Sequence, residues 1–217
     1  MSRIDQPNIY VIAGVNGGGK SSIGGASIRH PGEDYYNPDE VARRLMNIQP
    51  GLSLQDANSA AWRQGVVLLK RAIEERLEFV FETTLGGDTI TLLLKDAAAR
   101  GCAVHVWYVG LSSPELHIAR VRSRVAKGGH DIPEADIWRR YQHSRSNLIH
   151  LLPHLRSLRL FDNSADANPA DGRRPPLRLL LDVKGGRIVG PADLSETPSW
   201  AKPIVAAALK LVPSKRS

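Results

Sequence analysis

The stretch Ile9-Tyr10-Val11-Ile12-Ala13-Gly14-Val15-Asn16-Gly17-Gly18-Gly19-Lys20-Ser21-Ser22 decides the fold. Its first five residues form an apolar run of the kind that makes a short buried strand. Gly14 to Ser21 then fits GxxxxGKS, a glycine-rich loop that leads from a strand into a helix. Glycines let the backbone N–H groups of Asn16, Gly17, Gly18 and Gly19 curl around one anion, and the helix N-terminus adds positive potential. Lys20 can then reach the β- and γ-phosphates of ATP. The Ser21 hydroxyl, with Ser22 beside it, can ligate the Mg²⁺ that accompanies the nucleotide. The loop alone leaves the fate of the γ-phosphate open.

Outward from this loop, composition narrows the field. A chain of 217 residues with 42% hydrophobic and 24% charged residues suits a single α/β domain with a small appendage. No segment approaches the roughly 20 consecutive apolar residues of a membrane span, and the polar start carries no secretory signal. Cys102 is the only cysteine, which excludes an internal disulfide or a thiolate cluster and suits a reducing cytoplasm. The net charge of +7 and pI near 9.8 allow a nucleic-acid partner. Aromatics make up only 6%, however, and do not interleave with the basic clusters as in a base-stacking groove. A solvated basic surface or a site for a polyanionic small molecule accounts for the charge at least as well.

Periodicity and punctuation give the order of elements. After the first strand and the loop helix, a short extended piece at Asp34–Asn37 leads into a helix opened by Pro38 and Asp39-Glu40. A longer helix is predicted from Ser53 or Leu54 to Arg76, with Trp62, Val66, Leu69 and Ile73 on one face. Phe79–Thr84 reads as a strand, about Asp88–Ala99 as a helix and Ala103–Val109 as the most apolar strand. Ser112-Ser113-Pro114-Glu115 starts a helix that Gly128-Gly129 ends, and Pro133–Leu152 is the next helix. A strand at Leu158–Phe161, a loop at Asp166–Pro176, a hairpin across Gly185-Gly186 and a helix within Trp200–Leu211 complete the chain. Alternating strands and helices imply a mostly parallel sheet between two helical layers, with ligands at the carboxyl ends of the strands.

Three groups of residues at such ends can carry chemistry. Asp39 can face the γ-phosphate and accept a proton from an attacking hydroxyl, or simply complement the helix dipole. Glu82, inside an otherwise apolar strand, needs a partner or a ligand, and Thr83 and Thr84 add hydroxyls beside it. Arg120, Arg122, Arg124, Lys127, His130, Arg139 and Arg140 flank Gly128-Gly129, where guanidinium groups could close over a transferring phosphoryl group. His130, Asp131 and Glu134 lack a second histidine at ligand spacing, so a turn with a helix cap is the better reading. Trp138 and Tyr141 read as packing residues.

Taken together, several stretches resemble the zeta toxin family of P-loop kinases. They are Ala13–Ser22, Asn37-Pro38-Asp39, Phe81-Glu82-Thr83-Thr84-Leu85, Arg120–Val125 with Gly128-Gly129-His130, Pro133-Glu134, Arg139-Arg140-Tyr141 and Ser144–Leu148, within residues 8–163. The resemblance implies a three-layer α/β/α P-loop fold with strand order 2-3-1-4-5. It also implies ATP-dependent phosphorylation of a UDP-activated amino sugar, UDP-N-acetylglucosamine being the family's substrate. Lys20 and Ser21 then bind phosphate and Mg²⁺, Asp39 is the base, Glu82 binds substrate, and Arg120 with Arg124 or Arg140 are lid arginines. Asn163 falls where adenine contacts occur in kinases of this shape, and a small helical antitoxin is the family's protein partner. The expected organisation is a kinase core at 1–165, with a helical lid at about 113–152, and a C-terminal piece at 166–217 packed on it. In this chain Asn37 replaces the charge an Asp-x-Asp motif would supply. A polynucleotide or other small-metabolite kinase, or a non-catalytic nucleotide-binding module, are the alternative readings.

Overall fold

The computed structural model describes residues 6–20, 35–129, 131–165 and 176–211. Ser21, Ser22 and the expected loop helix, His130, and most of the 166–176 loop lie outside them. Among the described residues, strands β1 (Asn8–Ala13), β2 (Tyr35–Tyr36), β3 (Phe79–Thr83), β4 (Ala103–Gly110), β5 (Ser157–Asp162), β6 (Arg178–Lys184) and β7 (Arg187–Gly190) form one sheet. Its order is β2-β3-β1-β4-β5-β6-β7. The first five strands in that order pair in parallel, as the order 2-3-1-4-5 requires. The hairpin β6–β7 continues the sheet in the antiparallel sense past β5.

Among the described residues, six α-helices accompany the strands: α1 (Pro38–Ile48), α2 (Leu54–Glu75), α3 (Asp88–Ala99), α4 (Pro114–Val125), α5 (Glu134–Leu151) and α6 (Lys202–Leu211). Their starts follow from side-chain caps. Asn37 accepts from Asp39 N at 2.9 Å, Ser53 from Asp56 N at 3.1 Å and Ser113 from Leu116 N at 3.3 Å. Pro38 and Pro114 then occupy first-turn positions where no N–H is needed.

β1 is central, and Ile9, Val11, Ile12 and Ala13 are all fully buried, which explains its unbroken apolar run. One large cluster joins Ile9 and Val11 to Val104, Val106, Leu158 and Leu160, and these to Leu94, Ile137, Leu148 and Ile204 from helices. The buried face of α5 (Ile137, Tyr141, Ser144, Asn147, Leu148, Leu151) belongs to this core. So does the C-terminal segment, through Trp200, Ala201, Ile204 and Val205.

Two aromatic residues depart from the sequence reading. Trp62 is 48% exposed although Leu69 and Ile73, farther along the same helix, are buried. The large cluster takes the C-terminal half of α2, while the N-terminal half buries Ala57 and Ala61 beside Ala42, which leaves the Trp62 indole on the cleft. Trp138 is likewise exposed rather than packed, because the inward positions of α5 are taken by Ile137 and Tyr141.

Gly110 ends β4 directly beneath the Trp200 indole, where an added Cβ would come within 2.2 Å of Cη2. Gly110→Ala should therefore cost about 1–3 kcal/mol in urea denaturation. In a double-mutant cycle, Trp200→Leu should recover part of that loss. Simple additivity would show that the C-terminal segment does not load this strand.

Candidate active site

The carboxyl ends of β1 to β5 lie at one edge, and the glycine-rich loop emerges there from β1. Gly14 N donates to Thr83 O at 3.2 Å, and a Cβ on Gly14 would sit 2.2 Å from Val109 O. The loop thus starts wedged between β3 and β4, where only glycine fits. Gly17 has φ +78°, and its would-be Cβ lies 2.8 Å from His117 O. The loop is also held from its far side, since Asn163 Nδ2, just past β5, donates to Gly18 O at 2.9 Å. A side chain at Gly14 or Gly17 would collide with the backbone of β4 or α4, so these glycines let the loop close up tightly enough for its N–H groups to suit a phosphate.

His117 of α4 supports the loop from below. Its Nδ1 lies 2.8 Å from the Asn16 carbonyl, so Nδ1 carries the proton and donates. The ring is 1% exposed and meets Tyr141 edge-on with centroids 5.7 Å apart. Burial drives its pKa down to about 4, helped by the charges of Lys20, Arg120 and Arg145 and opposed by the Asn16 hydrogen bond. The imidazole is therefore neutral at physiological pH.

Lys20 leaves the loop into a buried polar knot. Its Nζ donates to Gly14 O at 2.8 Å and pairs with Glu82 Oε1 at 3.3 Å. The other Glu82 oxygen accepts from Tyr35 OH at 2.6 Å and from Asn37 Nδ2 at 3.4 Å. Asn37 meanwhile caps α1 through its Oδ1, which fixes Asp39 in the first turn. One asparagine thus joins the two acidic positions. The charge that an aspartate would supply there is replaced by a donor to Glu82.

Arg140 closes the third side. It donates through Nη1 to Asn16 Oδ1 at 2.7 Å and pairs with Asp136 at 3.4 Å, its stem lying against Gly86. Burial holds its pKa below the ordinary arginine value, while the Asp136 and Asp39 charges oppose that shift. Asp39 is therefore within electrostatic reach of Arg140. Arg120 lies along the opposite side of the loop, with its Cβ near Gly17 and Nη2 donating to Ala165 O at 3.2 Å. Arg124, one turn on, packs its stem against Gly129 and does not line the cleft.

These groups surround a cleft of about 820 Å³ lined by Asn16, Lys20, Asn37, Asp39, Glu82, Thr83, Thr84 and Arg140. Thr83 Oγ1 accepts from Leu85 N at 3.1 Å and Thr84 Oγ1 from Gly86 N at 3.3 Å. Both hydroxyls shape the loop at the cleft floor and keep their protons to donate. Leu85 there has φ +50°, which costs a leucine roughly 1–2 kcal/mol. Buried Asn147 holds the turn by donating to Leu85 O at 2.9 Å and Gly87 O at 3.2 Å. Among the described residues, no group of three or more His, Cys, Asp and Glu is placed to hold a metal, and Ser21 lies outside them.

Lys20, Asp39, Glu82, Thr83, Thr84, Asn16 and Arg140 thus converge on one cleft, while Arg120 and Asn163 brace the loop. His117 escapes the sequence reading, and Asn147 enters it only within the Ser144–Leu148 resemblance, because nothing local marks a buried side chain as a prop. The far wall escaped it too: Leu54, Gln55, Asn58, Ser59 and Trp62 of α2 and Asp131–Pro133 complete the cleft. The sequence places Trp62 on the apolar face of α2 and Asp131 in a turn, and nothing in it marks Gln55, Asn58 or Ser59.

A parallel sheet with a GKS loop at its carboxyl edge, opposed by acids and an arginine, defines a P-loop kinase. The chain matches the zeta toxin family model over residues 1–165, and it belongs to that family. An uncharacterized protein of Haemophilus influenzae is 32% identical over 128 residues, covering 59% of this chain and 88% of that protein. Among solved structures, the AvrRxo1-ORF1:-ORF2 complex with ATP superposes with TM-score 0.66 at 16% identity. That match covers 94% of this chain, which spans only 64% of that one. The PezAT chromosomal toxin–antitoxin system of Streptococcus pneumoniae gives TM-score 0.59 at 14% identity, with 96% and 86% covered. Among the described residues no helix is long and apolar enough to cross a membrane.

The His117 pKa makes stability depend on pH. As pH falls the unfolded chain takes up this proton near 6.5, before the folded one does near 4. The contribution of neutral His117 is complete above about pH 6.5 and is lost between there and about pH 4, at most about 3 kcal/mol. His117→Gln should flatten the dependence of the urea midpoint on pH across this window. An unchanged slope would mean that the ring is not buried neutral.

Proposed function

We propose that the chain transfers the γ-phosphoryl group of ATP to a hydroxyl of a small acceptor held in the cleft. The observation that carries this reading is the convergence of Lys20, Asp39 and Arg140 around one cleft wide enough for two substrates. ATP would lie with its β- and γ-phosphates against the N–H groups of Asn16, Gly17 and Gly19, Gly18 N donating to Val15 O at 3.0 Å. Asp39 would accept the acceptor's proton as its oxygen attacks phosphorus. The Pγ–O bond to the β-phosphate then breaks and ADP leaves with the electron pair. Lys20 and Arg140 would stabilise the charge spread over the transferring group, the largest catalytic resource in such a reaction. Ser21 would hold Mg²⁺, which would supply positive charge to offset that of the phosphates.

The acceptor we propose is a nucleotide-activated amino sugar of the UDP-N-acetylglucosamine type. Glu82, Thr83 and Thr84 supply acceptors and donors for its hydroxyls at the cleft floor. Regulation by a small helical antitoxin is proposed on family grounds, the PezAT system being a toxin–antitoxin pair. A cytoplasmic setting suits an ATP-dependent enzyme whose single thiol, Cys102, is buried.

Labelled ATP incubated with nucleotide sugars, free sugars and oligonucleotides tests this directly, since the labelled product names the acceptor. Lys20→Ala should abolish transfer with the fold intact. Asp39→Asn should lower kcat by about 10²–10⁴-fold while ATP affinity stays within a fewfold of wild type. Full turnover in the Asp39 variant would remove it as the base. Tight nucleotide binding without transfer to any acceptor would leave a binding module.

A further inference from the structure

A second cavity, of about 530 Å³, lies over the amino ends of β1, β4 and β5, away from the catalytic edge. Tyr10, one of its lining residues, stands four positions before Gly14. At about 3.3 Å per strand residue, that is on the order of 13 Å from the phosphate loop. Among the described residues, none that lines this cavity borders the catalytic cleft.

Its floor is aromatic. Tyr10 pairs with His105 across β1 and β4, and Trp107 is the next residue of β4 on the same face. The Tyr10 ring stacks on His105 with centroids 4.9 Å apart and on Trp107 at 5.6 Å. His105 is fixed in this row through both nitrogens, with Ser157 Oγ 2.8 Å from Nδ1 and Asn8 Oδ1 3.3 Å from Nε2. Asn8 Oδ1 can only accept, so Nε2 carries the ring proton and the Ser157 hydroxyl donates to Nδ1. Burial, helped by the Arg156 charge, holds the His105 pKa below its ordinary value, and the ring is neutral. All three rings are half-buried rather than covered.

The wall is basic. Arg156, Arg159 and Lys184 line it, and among the described lining residues there is no carboxylate. Arg159 is offset by Asp182, its cross-strand partner, with Nε 3.4 Å from Oδ2. Arg156 and Lys184 are exposed and have no ion-pair partner among the described residues. Backbone bonds keep these two together, since Arg156 N donates to Val104 O at 2.8 Å and Gly185 N to Arg156 O at 2.9 Å. Arg187, paired with Lys184 in the hairpin, adds a further charge beside them. Aromatic and basic residues that are far apart in the sequence thus meet in the folded sheet.

Two cations without partners match a phosphate, and a row of half-exposed rings matches a flat base. An acidic peptide would satisfy the cations but bring no planar ring to the floor. We propose that this cavity is a second, non-catalytic site for a nucleotide unit. Its base lies against the His105–Tyr10–Trp107 row and its phosphate between Arg156 and Lys184. A free mononucleotide and one link of a single strand share this chemistry. The site does not depend on phosphoryl transfer, because it shares no described residue with the catalytic cleft.

The test is calorimetric titration of the full chain with AMP, UMP, a six-nucleotide oligothymidylate, triglutamate and inorganic phosphate. At least one nucleotide probe should bind wild type, and Lys20→Ala should bind it equally well. The double variant Arg156→Ala/Lys184→Ala, altered only at exposed positions, should weaken that binding by about 10-fold or more. Trp107→Leu should weaken it similarly, and Trp107→Phe should retain most of it. Tighter binding of the oligothymidylate, with a steeper salt dependence, would make the ligand a single strand, whereas stronger binding of AMP or UMP would make it a free nucleotide. The proposal is overturned if no nucleotide probe binds, or if the double variant binds as wild type does. It is equally overturned if triglutamate or inorganic phosphate binds as tightly as the nucleotides, since the floor would then contribute nothing.

Discussion

The buried pairing of Lys20 with Glu82 is the interaction on which the site depends. It joins the loop after β1 to the end of β3, and Glu82 then gathers Tyr35 and Asn37 from the end of β2. Three strand ends are thereby tied into one polar knot beside an apolar sheet. Such a pair contributes little net stability, because desolvating two charges offsets most of their attraction. Breaking it by removing one partner would strand the other charge in a nearly dry pocket, which is far more costly. Its value is therefore geometric. Lys20 is held at the mouth of the phosphate loop, where the arrival of a stronger anion can draw it away.

The rest of the architecture keeps this knot in register. Gly14 wedged under Val109, Asn163 on Gly18 and His117 on Asn16 grip the loop from three separate elements. Arg140 reaches it from α5, a helix whose other face is core. The cleft is therefore bounded on one side by rigid, buried structure. On the other side stands α2, packed through Ala57 and Ala61 beside Ala42 and held by Tyr36, with Gln55, Asn58, Ser59 and Trp62 exposed on the cleft.

Much of this was legible in the sequence, for local reasons. GxxxxGKS after an apolar run is a contiguous signal, and Pro38 with Asn37 before it fixed a helix start that carries Asp39. Alternation of strands and helices was enough for a parallel sheet, and the family resemblance supplied the order 2-3-1-4-5. What could not be read depends on contacts between distant residues. His117 is separated from Asn16 by 101 positions, and no periodicity marks it as a support. Asn147 looked like one polar residue of a helix until its amide was found on the strained Leu85 turn. Trp62 shares a sequence stripe with Val66, Leu69 and Ile73, yet its own turn of α2 buries Ala61 beside Ala42 and leaves the indole exposed. Burial is a property of the assembled layers, and a stripe does not say where its neighbours stop.

The central claim is that Lys20, Asp39 and Arg140 face one γ-phosphate from different sides. The most direct measurement is a crystal structure with a non-hydrolysable ATP analogue and Mg²⁺. The account predicts the γ-phosphate in ionic contact with Lys20 Nζ and drawn off Gly14 O, with Arg140 beside it and Asp39 across the cleft. A triphosphate bound elsewhere, or Lys20 still on Gly14 O with the phosphate out of reach, would contradict it.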